Sequence, residues 1–237
     1  MEKITNLADE AYFIIKQKIF DFDLFPGQIV SDYLLSKELN MCRTPIRQAL
    51  MRLEGDGLLE EQAGKKNYRI SEITSDDIKD LFDFREGIES TAFRLAWRSH
   101  ISPEQLAALQ DLTDRMKESL AAGQAKEHFS FDQQFHNQLV ALSGNKRLIK
   151  ANDEILLQLT RMRFLSFLDS SLQDKACLKH QAILDAIREG SYEKGQQAII
   201  DHIRSSEEDY IALFGNGLPP NSLHMLRFFT RKDEAAQ

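Results

Sequence analysis

From Ile73 to Leu213 the chain is punctuated as a succession of helices, and no strand pattern interrupts it. Thr74-Ser75-Asp76-Asp77 supplies N-cap chemistry at its head, and Ser102-Pro103-Glu104-Gln105 repeats it with capping-box spacing. Gly123, Gly144-Asn145 and Gly190 fall where helices should stop, since glycine takes left-handed backbone at a helix C-terminus without steric penalty. The intervals predict six helices, at about 76–99, 102–123, a third ending at 142, 146–168, 172–189 and 191–213. Connections this short fold each helix back on the last. Residues 73–215 are therefore expected to form an antiparallel helical bundle.

The first 72 residues read differently. Leu7, Ala11, Ile14, Ile15 and Ile19 give an amphipathic helix, ended by the turn Leu24-Phe25-Pro26-Gly27. Ser31 is placed to cap a short second helix carrying Leu34, Leu35 and Leu39. In the next, Thr44 is expected as N-cap and Pro45 as first helical residue, with Ile46, Ala49, Leu50 and Leu53 as the apolar back. Arg43, Arg47 and Gln48 fall at the helix start or on the open face. Guanidinium there can bridge guanine O6 and N7 or clamp phosphates, and glutamine can pair with adenine. Arginines on a helix are ordinarily a solvated face, and the flanking pattern is what alters the reading. Leu58–Gln62 and Tyr68–Ser71 read as a hairpin around Ala63-Gly64-Lys65-Lys66-Asn67, whose lysines, with Arg69, can follow phosphates. Helix, turn, helix and wing is a DNA-reading arrangement. Asp21, Asp23 and Asp32 would have to face away from the DNA.

Charge limits how such a chain binds nucleic acid. The net charge is -7, and residues 1–71 carry 10 basic against 11 acidic side chains, so only a local basic patch can serve. No apolar run approaches the ~20 residues of a membrane span. The Met-Glu-Lys opening lacks a cationic end followed by an apolar core, so no export signal is expected. Cys42 and Cys177 form no CxxC pair, and reduced thiols in a cytoplasmic protein are expected. In the tail, residues 216–237, Pro219-Pro220 breaks the last helix and Leu223 to Phe229 has room for one more turn; no function is assigned to it.

Four bundle residues form a constellation. Asp132 and His136 are four apart and project from one helical face; His180 lies above Ile183, Leu184 and Ile187, and His202 near Ala198, Ile199 and Ile203. One histidine on an apolar face is ordinarily a satisfied core residue. Three, with a carboxylate, are costly to bury unless something binds them, and a divalent ion such as zinc or nickel satisfies all four. Arg85 lies on an apolar stripe with Leu81, Ile88 and Ala92, so it either receives an effector carboxylate or pairs with Glu89 one turn on. Arg163 is a second, weaker effector candidate. His128, four residues before Asp132, is a possible partner for that carboxylate. An Asp/His₃ site also admits metal-dependent hydrolase or lyase chemistry, or a purely structural ion, but no spare Glu or His is placed as a general base.

The ordered elements Pro26-Gly27, Leu34 to Leu39, Arg43-Thr44-Pro45-Ile46-Arg47-Gln48-Ala49-Leu50, Leu53-Glu54 and Gly57-Leu58 resemble the winged helix-turn-helix of the GntR family. The resemblance implies that Arg43, Thr44 and Arg47 contact DNA and that Gly64 brings the wing backbone close. Cys42 stands where the family's pattern has serine, and Gln48 where it has glutamate. The bundle motifs Phe131-Asp132-x-x-Phe135-His136, Ser143-Gly144-Asn145, His180 to Ile187 with Gly190, and His202 resemble the FCD ligand-binding domain of the FadR subfamily. Six helices are similar to its VanR-type branch, and Arg85-x-x-Ile88-Glu89 to its first-helix signature. The resemblance implies that Asp132, His136, His180 and His202 hold a divalent ion that helps receive a small carboxylate. It further implies a non-enzymatic homodimeric regulator, commonly a repressor, acting on a near-palindromic operator.

Overall fold

The computed structural model describes residues 6–20, 23–62, 67–163 and 170–214; residues 157, 161–163, 170–173 and 214 are described by backbone alone. The Gly64-Lys65-Lys66 wing tip and the tail from Gly215 lie outside the described residues, as do Asp21 and the side chain of Arg163. The chain divides into two compact units at the Ile73–Thr74 junction.

The N-terminal unit runs α1 (Leu7–Phe20), β1 (Ile29–Ser31), α2 (Asp32–Glu38), α3 (Arg43–Gly55), β2 (Leu59–Glu61) and β3 (Asn67–Ile70). Ala11, Tyr12, Ile15 and Ile19 of α1 are buried, and α1 packs on α3. Leu7, expected on that face, is exposed. Ser31 caps α2 by accepting from the Leu34 N–H at 3.2 Å. Asn40 turns the chain from α2 toward α3 in left-handed backbone, φ 52°, which asparagine tolerates better than most residues.

The start of α3 corrects one expectation. Its N-cap is Cys42, whose thiol makes no capping bond, and Thr44 and Pro45 lie inside the first turn. An N-cap side chain reaches the N–H of the second or third helical residue, and Pro45, at the third, has none. A hydroxyl at 42 would thus find one N–H and not two, so cysteine costs little here. The apolar back is as expected: Ile46, Ala49, Leu50 and Leu53 are buried.

The predicted hairpin forms from β2 and β3, with Glu60 opposite Arg69. A third strand joins it, giving the order β1-β3-β2. Val30, Leu59, Tyr68 and Ile70 turn to the buried side of the sheet.

The C-terminal unit comprises α4 (Ser75–Arg98), α5 (Pro103–Ala121), α6 (Ala125–Ala141), α7 (Lys146–Arg163), α8 (Ser170–Arg188) and α9 (Tyr192–Phe214). Capping boxes open α4 (Thr74 with Asp77) and α5 (Ser102 with Gln105). Three-residue connections fold α6 back on α5 and α9 back on α8, while α4 packs against α6, α7 and α9. The approach of α9 to α4 is close enough to require glycine. A Cβ on Gly195 would stand 2.5 Å from Phe93 Cζ, and the Phe93 ring is buried in a stack with Tyr192. No helix among the described residues is long and apolar enough to cross a membrane.

Candidate functional site

Three helices of the bundle each turn one imidazole to a common point. His136 of α6, His180 of α8 and His202 of α9 are buried, and their Nε2 atoms are 3.1, 3.2 and 3.1 Å apart. The apolar face around each histidine fixes its direction. Phe135 stacks on the His180 ring at 4.0 Å, and the His136 and His202 rings are nearly parallel, 5.0 Å apart. Asp132, one turn before His136, brings Oδ1 to 3.7 Å from His136 Nε2 and 3.6 Å from His180 Nε2.

A second layer sets the protons. Glu89 of α4 accepts a hydrogen bond from His136 Nδ1 at 2.7 Å and another from Arg85 Nε at 2.6 Å. Burial would raise the Glu89 carboxyl, but the guanidinium and the imidazole outweigh it and bring it down to about 2. An ionised Glu89 assigns the His136 proton to Nδ1 and turns the Nε2 lone pair inward. His180 Nδ1 lies 3.3 Å from Met116 Sδ. Burial first, then the neighbouring His136, pushes His180 down to about 3, and burial with His180 and His136 also holds His202 well below the ordinary imidazole value. At neutral pH both rings are uncharged lone-pair donors.

The donor set fits a divalent ion. Neutral imidazole nitrogens and a carboxylate oxygen are the donor types that divalent transition ions take. The four side chains could hold zinc, nickel or a similar ion, all three imidazoles being borderline-soft donors.

Of the two sequence readings of Arg85, the structure shows the pairing within its own helix. Arg85 pairs with Glu89, yet its Nη2 is buried without a hydrogen-bond partner. His128 is buried on the same helix as Asp132, and its Nδ1 meets the Met116 carbonyl at 3.0 Å. Glu89 was legible as a partner for Arg85 and as part of the Arg85-x-x-Ile88-Glu89 pattern, but not as a partner for His136. Its position four residues on, along the same buried face, was the one signal that it belongs to the site.

On the other unit, Arg43, Thr44, Arg47 and Gln48 are exposed along the start of α3. Asp32 lies buried directly behind the arginines and faces inward. Its Oδ1 accepts from Arg43 Nη2 at 2.6 Å, and its Oδ2 from Arg47 Nη2 at 2.7 Å and Nε at 3.2 Å. Burial opposes ionisation of this carboxyl, but the two guanidiniums hold it below the usual carboxylate range.

Known proteins share both units. Residues 80–205, more than half the chain, match the FCD domain, and residues 7–66 match the bacterial regulatory proteins of the gntR family. The Nta operon transcriptional regulator of Aminobacter aminovorans is 28% identical over 181 residues, covering 76% of this chain and 82% of that protein. The HTH-type transcriptional repressor RspR of Escherichia coli is 22% identical over 199 residues, 84% of this chain and 86% of its own. Among solved structures, E. coli McbR/YncC superposes with a TM-score of 0.70 at 17% identity, over 88% of this chain and 99% of that one, a likeness of fold. The chain is a transcriptional regulator and not an enzyme, and it belongs to the gntR family, in the form whose winged helix-turn-helix is followed by an FCD domain.

Proposed function

We propose that the protein is a cytoplasmic repressor that binds a near-palindromic operator as a homodimer and responds to a small carboxylate at a metal site. Residues 1–72 are the DNA-binding domain, residues 73–215 the sensor, and 216–237 carry no assigned role. Arg43, Thr44, Arg47 and Gln48 read the major groove, and Gly64, Lys65 and Lys66 follow the adjacent backbone. Asp132, His136, His180 and His202 hold a divalent ion, zinc or nickel. The observation that carries this reading is the convergence of three buried Nε2 atoms within 3.2 Å, with Asp132 beside them.

A bound divalent ion supplies a concentrated positive charge that accepts an oxygen ligand. The chain supplies the rest. Glu89 fixes the His136 tautomer, and the buried, unpartnered Nη2 of Arg85 is a donor available to an effector carboxylate, with Arg163 as a second candidate. Binding that favours one arrangement of the helices shifts the population toward it, and so alters the spacing of the two heads. The repressor assignment is supported by the name of RspR.

The test is the metal content of purified protein beside a His136→Ala/His180→Ala variant, followed by thermal shifts against a panel of carboxylates. About one divalent ion per chain, lost in the variant, with one acid stabilising only the loaded form, is the expected result. Absence of metal after reconstitution with zinc and nickel would reduce the histidines to core residues. An ion whose removal melts the bundle without changing acid binding would make it structural.

A further inference from the structure

We propose that Asp32 is the positioning residue of the DNA-reading face: a buried carboxylate that holds Arg43 and Arg47 in register before DNA arrives. The proposal rests on the reading of α3 as the helix that contacts DNA. Asp32 opens α2, and its side chain is 5% exposed, while those of the arginines it holds are 52% and 50% exposed. The carboxylate therefore faces inward and the guanidiniums outward. Its two oxygens are divided between two arginines one helical turn apart, each 11 or more residues away in sequence. Arg43 is also flanked by the Tyr33 ring, 6.0 Å from its guanidinium carbon, and Lys37 lies over the same ring at 4.5 Å.

The pairing leaves donors for a ligand. Arg47 spends its Nε and Nη2 edge on Asp32 and keeps Nη1; Arg43 spends Nη2 alone and keeps Nε and Nη1. Arginine loses much rotamer freedom when it is immobilised, so a guanidinium already held loses less on binding. The carboxylate works against bare attraction, because it lowers the charge of the cluster from two to one and DNA is an anion. Asp32 thus exchanges sequence-independent affinity for orientation. That opposition of signs separates positioning from its alternatives. A merely structural Asp32 would, on removal, weaken binding to every duplex. A carboxylate that only masked the arginines would, on removal, tighten binding to every duplex.

The experiment uses the full-length chain. A duplex is selected by the wild-type protein from a random pool, and a scrambled duplex of equal composition serves as control. Dissociation constants for both are measured by fluorescence anisotropy across a salt series, for wild type, Asp32→Asn, Asp32→Glu and Arg47→Ala. Asp32→Asn is expected to lose about 10-fold in the ratio of the two constants, the scale of one bidentate base contact. Its affinity for the scrambled duplex stays equal or rises, and its salt slope becomes no shallower. Asp32→Glu, which keeps the charge on a longer arm, recovers part of the ratio. Should Asp32→Asn unfold, Asp32→Glu carries the test by a reduced ratio at unchanged melting temperature. An unchanged ratio, or parallel changes on both duplexes, overturns the proposal. If no duplex is enriched, or Arg47→Ala leaves selected-duplex affinity intact, the reading of α3 itself fails and the positioning role with it.

Discussion

Replacing Gly195 by alanine sets two known effects against each other, and the geometry decides between them. Alanine in a helix interior is favoured over glycine by roughly 1 kcal/mol. Against that, the new methyl would stand 2.5 Å from Phe93 Cζ and 3.0 Å from Cε1, well inside van der Waals contact. The ring has little room to retreat: Phe93 is fully buried, stacked on Tyr192 at 6.0 Å, with Trp97 5.8 Å away. Overpacking of this kind typically costs 1–3 kcal/mol. The strain falls on a buried ring that is held on several sides, so we take the upper half of that range and expect Gly195→Ala to destabilise by about 1–2 kcal/mol net. Trp97 is the sole tryptophan and lies in this cluster, so its fluorescence in a urea titration follows the helical unit alone. Trimming the ring should reverse the sign: in a Phe93→Leu background the same alanine should be neutral or stabilising. A Gly195→Ala protein that is more stable than wild type would refute the reasoning, since propensity would then have outweighed the contact. The seam also carries the site, with Glu89 one turn from Phe93 on α4 and His202 two turns from Gly195 on α9. The variant should therefore bind divalent metal more weakly as well.

Glu89→Gln leaves the buried Arg85 without its counter-ion. The carboxyl lies at about 2 when folded against an ordinary 4.5, a difference worth roughly 3 kcal/mol. Because the folded value is the lower one, this contribution is complete above pH 4.5 and fades as pH falls toward 2. In chelator, the stability gap between wild type and variant should be widest at pH 7 and narrow at pH 3 by Trp97 fluorescence; a gap independent of pH would show that shape and not charge matters. Ser102→Ala should lower helical-unit stability by about 1 kcal/mol through loss of the bond to the Gln105 N–H, and an unchanged urea midpoint would speak against that cap. Cys42→Ser should change melting of the N-terminal unit by less than about 1 kcal/mol, since Pro45 removes one of the two N–H groups a hydroxyl would reach; a larger gain would place the helix start elsewhere.

What was legible in the sequence is what depends on near neighbours. Helix starts and stops along residues 73–213 follow from caps and glycines a few positions apart, and the described residues have helices in those intervals, the expected end of the fourth at 164–168 lying outside them. The apolar back of α3 was readable for the same reason. The misses involve partners remote in the chain or elements too short to show a period. Strand β1 spans three residues, which no alternation can announce, and it exists because β3, some 40 residues on, offers an edge. Asp32 looked like a liability beside DNA because its burial depends on where α3 lies against α2. Thr44 was a sound cap by type, but the chain enters the helix earlier and leaves that role to a cysteine. The three histidines and Asp132 could be gathered by helical face and by resemblance. The Glu89 contact with His136 joins residues 47 apart on different helices, which spacing alone does not reveal.

The packing of α4 against α9 also imposes an order in time. A chain emerging from the ribosome has delivered the last strand of the winged helix by Ile73, while His202 follows 129 residues later, roughly 6–26 s at ordinary synthesis rates. During that interval α4 lacks the helix it packs on most closely in sequence-distant contact, and the histidine cluster lacks its third member. Each newly made molecule therefore passes through a stage at which α1 to β3 have all been made and the sensor has not.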